Sequence, residues 1–129
     1  MTGIIGSQWT GVILAAGQGS RMKSSLPKVL HQICGRELIK YPIELMTQFN
    51  IENILIVVSP ENMEEIRREL GDEFEYVVQP DPKGTGDALE CVLPVIFGTD
   101  SQILVVNGDV PLLRPESVER LCLSHLDKS

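Results

Sequence analysis

The sequence predicts an α/β fold in which helices cover both faces of a mostly parallel sheet, a three-layer αβα arrangement. Four short apolar runs, rich in β-branched residues, are the strand candidates: residues 11–15, 54–58, 74–78 and 103–106. The first, second and fourth runs are continuously apolar, which is typical of strands buried on both faces of a parallel sheet, whereas the third alternates and is expected nearer an edge. Segments with helical spacing separate the runs, and this alternation produces crossover connections that place helices on both faces.

The first helix is predicted from one apolar stripe that follows the opening strand and a long loop. Its members recur at steps of three and four residues: Ile39, Ile43, Met46 and Phe49. Apolar residues at this spacing lie on one side of an α-helix, where they can pack against a sheet.

The second helix is predicted from signals at both of its ends. Ser59 is a favourable N-cap, Pro60 suits the first turn, and Glu61 places a negative charge near the positive end of the helix. Gly71 is a typical residue at which a helix ends. These signals predict a helix over residues 61–70.

Two further helices are predicted in the second half of the chain. Ala88, Val92 and Val95 form a third apolar stripe, although Pro94 limits how far that helix can continue. Pro115 begins a last helix, because proline is favoured in a first turn. The resulting order is β, loop, α, β, α, β, loop, α, β, loop, α.

Composition limits the classes of protein to which the chain can belong. Hydrophobic residues make up 43% and charged residues 22% of the 129 residues, which suits one globular domain over residues 1–129 and excludes a disordered or fibrous protein. No apolar stretch approaches the roughly 20 residues that cross a bilayer. A secretory signal begins with a basic region, but no basic residue precedes Arg21. We therefore expect a cytoplasmic protein that does not enter a membrane.

Charge is unevenly distributed along the chain. The 18 acidic and 11 basic side chains give a net charge of −7, which disfavours binding to nucleic acid. Residues 1–40 nevertheless hold five basic side chains and one acidic one, whereas residues 41–129 hold six basic and seventeen acidic ones. A local excess of cations beside glycines suits a small anion. A solvated charged face is the alternative interpretation.

A glycine-rich turn with nearby cations follows the first strand. It reads Ala-Ala-Gly-Gln-Gly-Ser-Arg-Met over residues 15–22, and Pro27 and Lys28 follow shortly after. Small residues allow backbone N–H groups to approach phosphate oxygens, and the cations neutralise the phosphate charge. The string is not a P-loop, which needs a Gly-Lys-Ser/Thr ending. It is not a dinucleotide-binding fingerprint either, since Met22 occupies the position of the third glycine.

Three motifs resemble those of the sugar-phosphate nucleotidyltransferases. They are residues 14–22 with 26–30, Gln79 with residues 84–88, and residues 107–112. The continuation at residues 31–36, His-Gln-Ile-Cys-Gly-Arg, is similar to the N-acetylglucosamine-1-phosphate uridylyltransferase branch. The resemblance spans nearly the whole chain. It implies a Rossmann-like sheet of the nucleotide-diphospho-sugar transferase type, which we expect to be incomplete at the C-terminal end of this chain.

The resemblance implies that the turn after the first strand binds the nucleotide. The residues that would contact the nucleoside or the triphosphate are Leu14, Ala15, Ala16, Gly17, Gly19 and Ser20. Arg21 and Lys28 are the implied catalytic residues, with Arg21 facing the leaving pyrophosphate and Lys28 facing the reacting phosphate. The alternative interpretation is a surface turn with solvated cations.

The second motif is implied to recognise the base. Gln79 follows the third strand, and a side-chain amide can offer both a donor and an acceptor to a base edge. The resemblance implies that Gln79 reads uracil and that the turn at Gly84 and Thr85 closes over the base. Lys83 and Asp87 depart from the family pattern, in which an apolar residue and a histidine are common at these positions. An ordinary loop glutamine is the alternative.

The third motif is implied to hold a metal ion. Asp109 follows the last predicted strand, at the sheet edge where the other motifs converge. Mg²⁺ binds hard oxygen ligands, commonly one or two carboxylates together with phosphate oxygens. The resemblance assigns Asp109 that task, whereas simple turn chemistry at residues 107–109 is the alternative.

The resemblance implies transfer of a uridylyl group from UTP to a sugar 1-phosphate, with N-acetylglucosamine 1-phosphate as the expected acceptor. In the family, the sugar-binding residues and a second metal ligand come from a later segment, so we expect this chain to hold the nucleotide half of the site. An exposed seam would then favour association into homo-oligomers. Two alternatives remain: a non-catalytic binding or assembly domain of the same fold, and a nucleotidyltransferase with another nucleotide or acceptor.

Overall fold

The computed structural model describes residues 9–17, 27–81, 84–96, 102–109, 116, 117 and 120. In chain order its elements are β1 (Trp9–Leu14), β2 (Gln32–Ile33), β3 (Arg36–Glu37), α1 (Lys40–Gln48), β4 (Asn53–Val58), α2 (Met63–Leu70), β5 (Glu75–Val78), α3 (Thr85–Ile96) and β6 (Gln102–Asn107). A single 3-10 turn, Lys28–Leu30, lies before β2. In this described part of the chain, no helix has the length and apolar character needed to span a bilayer.

Strands β1, β4, β5 and β6 form one parallel sheet in the order β5-β4-β1-β6. They match the four apolar runs to within two residues at each end, so the predicted α/β fold with a mostly parallel sheet is confirmed. From β1 the chain proceeds to β4 and β5 on one side, and it then returns to the opposite side of β1 as β6. In open sheets, ligands bind beyond the carboxyl ends of the strands where the strand order reverses. Here that point lies between β1 and β6.

Alternate residues of the strands enter two apolar cores, one on each face of the sheet. One core consists of side chains from β1, β4 and α3: Val12, Leu55, Val57, Ala88 and Val92. The other is built on α1 and α2, and its fully buried members include Ile13, Ile39, Met46, Phe49, Ile56 and Ile66. Because helices cover both faces, the central strands are apolar at consecutive positions.

Gly11 allows α1 to pack closely against β1. A Cβ atom at Gly11 would clash with the sulfur of Met46, a side chain with no exposed surface. The apolar stripe predicted for α1 is confirmed at Ile39, Met46 and Phe49, which are fully buried, and Ile43 is partly buried against the same core. This contact fixes the helix on the sheet just before the chain turns into β4.

The start of α2 differs from the prediction. The helix begins later than predicted, at Met63, and Asn62 is its N-cap. A separate turn precedes it, in which Asn62 N donates to Ser59 Oγ (3.2 Å) and Ser59 N donates to Asn62 Oδ1 (2.9 Å). This reciprocal pair satisfies two backbone donors, so Ser59 caps the turn and not the regular helix. Gly71 ends α2 with a φ of +92°, as predicted.

Helix α3 contains Pro94 and continues to Ile96. Its buried face passes through Ala88, Val92 and Ile96 at steps of four residues. The helix predicted from Ala88, Val92 and Val95 is present, but Val95 is 40% exposed and Ile96 lies on the buried face in its place.

A short hairpin, β2–β3, lies in the long loop after β1 and is absent from the sequence-based prediction. Its turn residues Cys34 and Gly35 have φ values of +54° and +80°, as a two-residue hairpin turn requires. The glycine is the local signal for this turn, while cysteine is uncommon at the position before it. Pro115 and most of the last predicted helix lie outside the described residues.

Candidate active site

A cavity of about 180 Å³ lies at the carboxyl ends of the strands, where the strand order reverses. Its wall includes four residues of the first predicted motif: Leu14, Ala15, Ala16 and Gly17. It also includes four predicted residues that are distant in sequence: Lys28, Gln79, Gly84 and Asp109. Members of all three motifs therefore surround one space.

Backbone hydrogen bonds hold the end of β1 between its neighbours. Ala15 N donates to Val57 O and Gly108 N donates to Leu14 O, both at 2.8 Å. A Cβ atom at Gly108 would lie only 3.1 Å from Leu14 O, so glycine permits the close approach of the two chain segments. Gly17, three residues after the end of β1, is exposed and forms part of the cavity wall.

Asn62 supports the backbone at the end of β1, and the sequence patterns do not predict this role. Its side chain is buried, and Nδ2 donates to Ala15 O at 2.8 Å across 47 residues of chain. Oδ1 accepts from Ser59 N, so the amide joins the turn before α2 to the end of β1. The Ser-x-x-Asn spacing was the available signal, since it resembles a capping box. Nothing in the sequence indicates the contact with Ala15.

The side chain of Gln79 is held on two sides. Its Nε2 atom donates to Asp87 Oδ2 at 2.7 Å and to Gly84 O at 3.3 Å. The backbone N–H of Gln79 donates to Val58 O at 2.8 Å and so extends the pairing of β5 with β4. Gly84 has a φ of +103°, a conformation that favours glycine. These contacts leave Gln79 only 3% exposed beside the cavity.

An ion pair joins the first and third motifs. Lys28 Nζ lies 3.3 Å from Asp109 Oδ2, and the two side chains are 49% and 36% exposed. An exposed pair of this kind contributes about 0–1 kcal/mol, because water screens it. Phosphate could therefore compete for the lysine, and a cation could compete for the carboxylate, at little energetic cost.

The thiol of Cys91, on α3, has an altered pKa. Burial raises the pKa of the Cys91 thiol, and the negative charges of Asp87 and Glu90 raise it further. A thiol with a raised pKa is a poor nucleophile at neutral pH. Cys91, which is half-buried on α3, is therefore a poor candidate for a nucleophile.

The carboxylates of the described residues do not form a ready-made metal site. Within residues 9–17, 27–81, 84–96 and 102–109, no group of three or more His, Cys, Asp or Glu side chains could hold a metal ion. Asp109 offers one hard carboxylate ligand at the cavity. This donor set fits Mg²⁺ only as an ion that it shares with the phosphate oxygens of a ligand.

Four predicted site residues can be placed only in part or not at all. Gly19, Ser20 and Arg21 lie outside the described residues. Thr85 begins α3, but its side chain also lies outside the described part.

Residues 11–128 match the MobA-like NTP transferase domain. The chain belongs to this family. It is therefore of nucleotidyltransferase lineage, as the three motifs predict.

Individual relatives agree with the family. The chain is 40% identical over 119 residues to the bifunctional protein GlmU of Sorangium cellulosum, covering 87% of this chain and 25% of that protein. It is 44% identical over 115 residues to GlmU of Prochlorococcus marinus strain MIT 9313, covering 88% and 26%. The match is to the N-terminal part of these proteins. The chain thus spans about a quarter of the length of these curated relatives.

A solved structure is similar as well. A Bacillus anthracis protein described as a glucose-1-phosphate thymidylyltransferase, crystallised with sucrose, superposes with a TM-score of 0.73 at 25% identity. The superposition covers 88% of this chain and 50% of that one. The fold is therefore that of the sugar nucleotidyltransferases, in agreement with the sheet order.

Proposed function

We propose that this chain forms the nucleotide half of a site that transfers a uridylyl group from UTP to a sugar 1-phosphate. N-acetylglucosamine 1-phosphate is the proposed acceptor, and UDP-sugar and pyrophosphate are the products. One observation carries the proposal: Lys28, Gln79 and Asp109, from three separate motifs, line one cavity where the strand order reverses. Membership of the NTP transferase family supports nucleotidyl transfer as the reaction class, and the resemblance of residues 31–36 to the uridylyltransferase branch supports UTP.

The proposed reaction is an in-line displacement at phosphorus. An oxygen of the sugar 1-phosphate attacks the α-phosphorus of UTP, the bond to the bridging oxygen breaks, and pyrophosphate leaves. The attacking phosphate is already ionised at neutral pH, so it needs no general base. Orientation and charge neutralisation then supply most of the rate enhancement.

Each part of the cavity has a role in this reaction. Gly17 is exposed at the cavity wall and can donate its backbone N–H to the nucleotide. Lys28 is free to exchange Asp109 for a phosphate oxygen, because their ion pair is exposed. Gln79 presents its amide to the base edge.

Asp109 is the proposed protein ligand of Mg²⁺. Its carboxylate provides one hard oxygen, and the phosphates of the nucleotide would provide others. When bound, the ion neutralises charge on the triphosphate. The ammonium group of Lys28 balances the negative charge of this carboxylate until a metal cation takes the place of the lysine.

A second candidate function is nucleotide binding without turnover. It is favoured by the described part of the chain, in which Asp109 is the single carboxylate that lines the cavity and could serve as a metal ligand. In either case the proposed ligands are small molecules in the cytoplasm, and the net charge of −7 disfavours nucleic acid. Exposed Leu93 and Val95 on α3 support the proposal of association with a second copy.

Calorimetry of UTP binding, with Mg²⁺ present, tests the proposal. Lys28→Ala should weaken UTP binding by about 1.5–3 kcal/mol and leave uridine binding nearly unchanged, because only the triphosphate carries the charge. Arg68→Ala is the matched control, since it removes a cation from the exposed face of α2, away from the cavity. Equal UTP affinity in the wild-type protein and Lys28→Ala would contradict the site.

Pyrophosphate release distinguishes the two candidate functions. With UTP and N-acetylglucosamine 1-phosphate, a protein that binds UTP but releases no pyrophosphate would have the second function, nucleotide binding without turnover. Turnover of about 1–10³ per second that Asp109→Ala abolishes would instead mean that this chain, or two copies of it, forms a complete site.

A further inference from the structure

The amide of Gln79 is held in one orientation by its two partners. Nε2 donates to Asp87 Oδ2 and to Gly84 O, at 2.7 Å and 3.3 Å. A carboxylate and a carbonyl can only accept hydrogen bonds. If the amide were reversed, Oε1 would face two acceptor oxygens. The chemistry of the surroundings therefore decides which end of the amide faces Asp87.

Asp87 contributes the stronger of these two contacts. A hydrogen bond to an ionised carboxylate is roughly twice as strong as one between neutral groups, and the contact with Asp87 is also the shorter one. Asp87 lies in the first turn of α3, where the positive end of the helix favours a negative charge. The backbone of Gln79 is meanwhile tied to β4 through Val58 O. Asp87 is thus the main determinant of how this amide is turned.

This orientation limits what Gln79 can offer to a ligand. A side-chain amide has two N–H donors, and its two acceptor partners occupy them. No described residue donates to the carbonyl oxygen Oε1, and Gln79 lines the cavity. A base that docks against Gln79 therefore has to present a donor to Oε1.

We propose that Asp87 is a positioning residue that sets base specificity: it holds Gln79 so that Oε1 faces the ligand, and the cavity then selects bases with a ring N–H. The proposal rests on the proposed function and names the base class of its nucleotide. Uracil and thymine carry a ring N–H between two carbonyl groups. The corresponding ring nitrogen of cytosine is an acceptor, which Oε1 would repel.

The ratio of UTP to CTP affinity tests this role. Asp87→Asn keeps the shape of the side chain, but the new amide can donate as well as accept. Only the weaker contact with Gly84 O then opposes reversal of the Gln79 amide. In calorimetry with Mg²⁺, the wild-type protein should bind UTP at least about tenfold more tightly than CTP, the effect of one well-placed hydrogen bond. Asp87→Asn should reduce this ratio by about tenfold. Glu90→Gln, the same chemical change on the exposed side of α3, should leave the ratio as in the wild-type protein.

A second measurement needs no variant. The wild-type protein should bind UTP at least about tenfold more tightly than N3-methyl-UTP, in which the ring N–H is lost. Two results would refute the specificity role of Asp87 and leave the proposed function standing. One is equal affinity of the wild-type protein for UTP and N3-methyl-UTP. The other is an equal loss of UTP and CTP affinity in Asp87→Asn. If the wild-type protein binds neither UTP nor CTP, both proposals are overturned.

Discussion

Asn62 connects the turn before α2 to the end of β1, and its removal should destabilise the protein. Its amide makes two hydrogen bonds in a buried position: Nδ2 donates to Ala15 O at 2.8 Å, and Oδ1 accepts from Ser59 N at 2.9 Å. Asn62→Ala leaves both backbone groups without these partners. A buried polar group that loses its partner costs about 1–3 kcal/mol.

The expected loss for Asn62→Ala is about 2–6 kcal/mol, because two such groups are affected. This is a large share of the roughly 5–15 kcal/mol by which a domain is stable. Asn62→Asp separates the two bonds. Its carboxylate can still accept from Ser59 N, but when ionised it cannot donate to Ala15 O. The loss for Asn62→Asp should therefore be larger at pH 7 than at pH 4, where the protonated acid can donate.

Urea unfolding followed by the fluorescence of Trp9, a buried residue of β1, measures these effects. Thr47→Ala is the matched control, because it removes one side-chain hydrogen bond to the backbone at an exposed site, from Thr47 Oγ1 to Ile43 O. That control should change the free energy of unfolding by no more than about 0.5 kcal/mol. A loss in Asn62→Ala no greater than in Thr47→Ala would refute the reasoning.

Two further predictions concern the rest of the fold. Gly11→Ala should lower the free energy of unfolding by about 1–3 kcal/mol, because the new Cβ atom meets the fully buried Met46; an unchanged urea midpoint would contradict that packing. The pKa of Glu37 is lowered from 4.5 to about 2, chiefly by a hydrogen bond from Lys40, with its own backbone N–H and the Gln32 amide contributing. The stabilisation is therefore present above pH 4.5 and is lost as the pH falls toward 2, and Glu37→Gln should make the urea midpoint less dependent on pH across this window.

The sequence alone was sufficient for most of the secondary structure. Residues 54–58 are apolar at every position, and only a strand covered on both faces buries such a run. The stripe through Ile39, Met46 and Phe49 likewise specifies a helix with one buried side. The predicted secondary structure differs from the observed one where individual side chains form local turns that the apolar pattern does not indicate. Asn62 closes a turn with Ser59, which delays the start of α2, and the hairpin turn uses a cysteine in a conformation that is more usual for glycine or asparagine.

The candidate site residues could be predicted from their positions after the strands. The contacts that these residues make with one another could not be predicted from the sequence. Gln79 and Asp109 each follow a strand, so the sequence could place both at the carboxyl edge of the sheet. Sequence patterns extend over a few helical turns or one strand, whereas the contact of Lys28 with Asp109 depends on β6 lying beside β1. Strand order is set by how the crossover helices pack on the two faces. The partners of Asn62 and the orientation of the Gln79 amide follow from that packing, and only the tertiary structure could decide them.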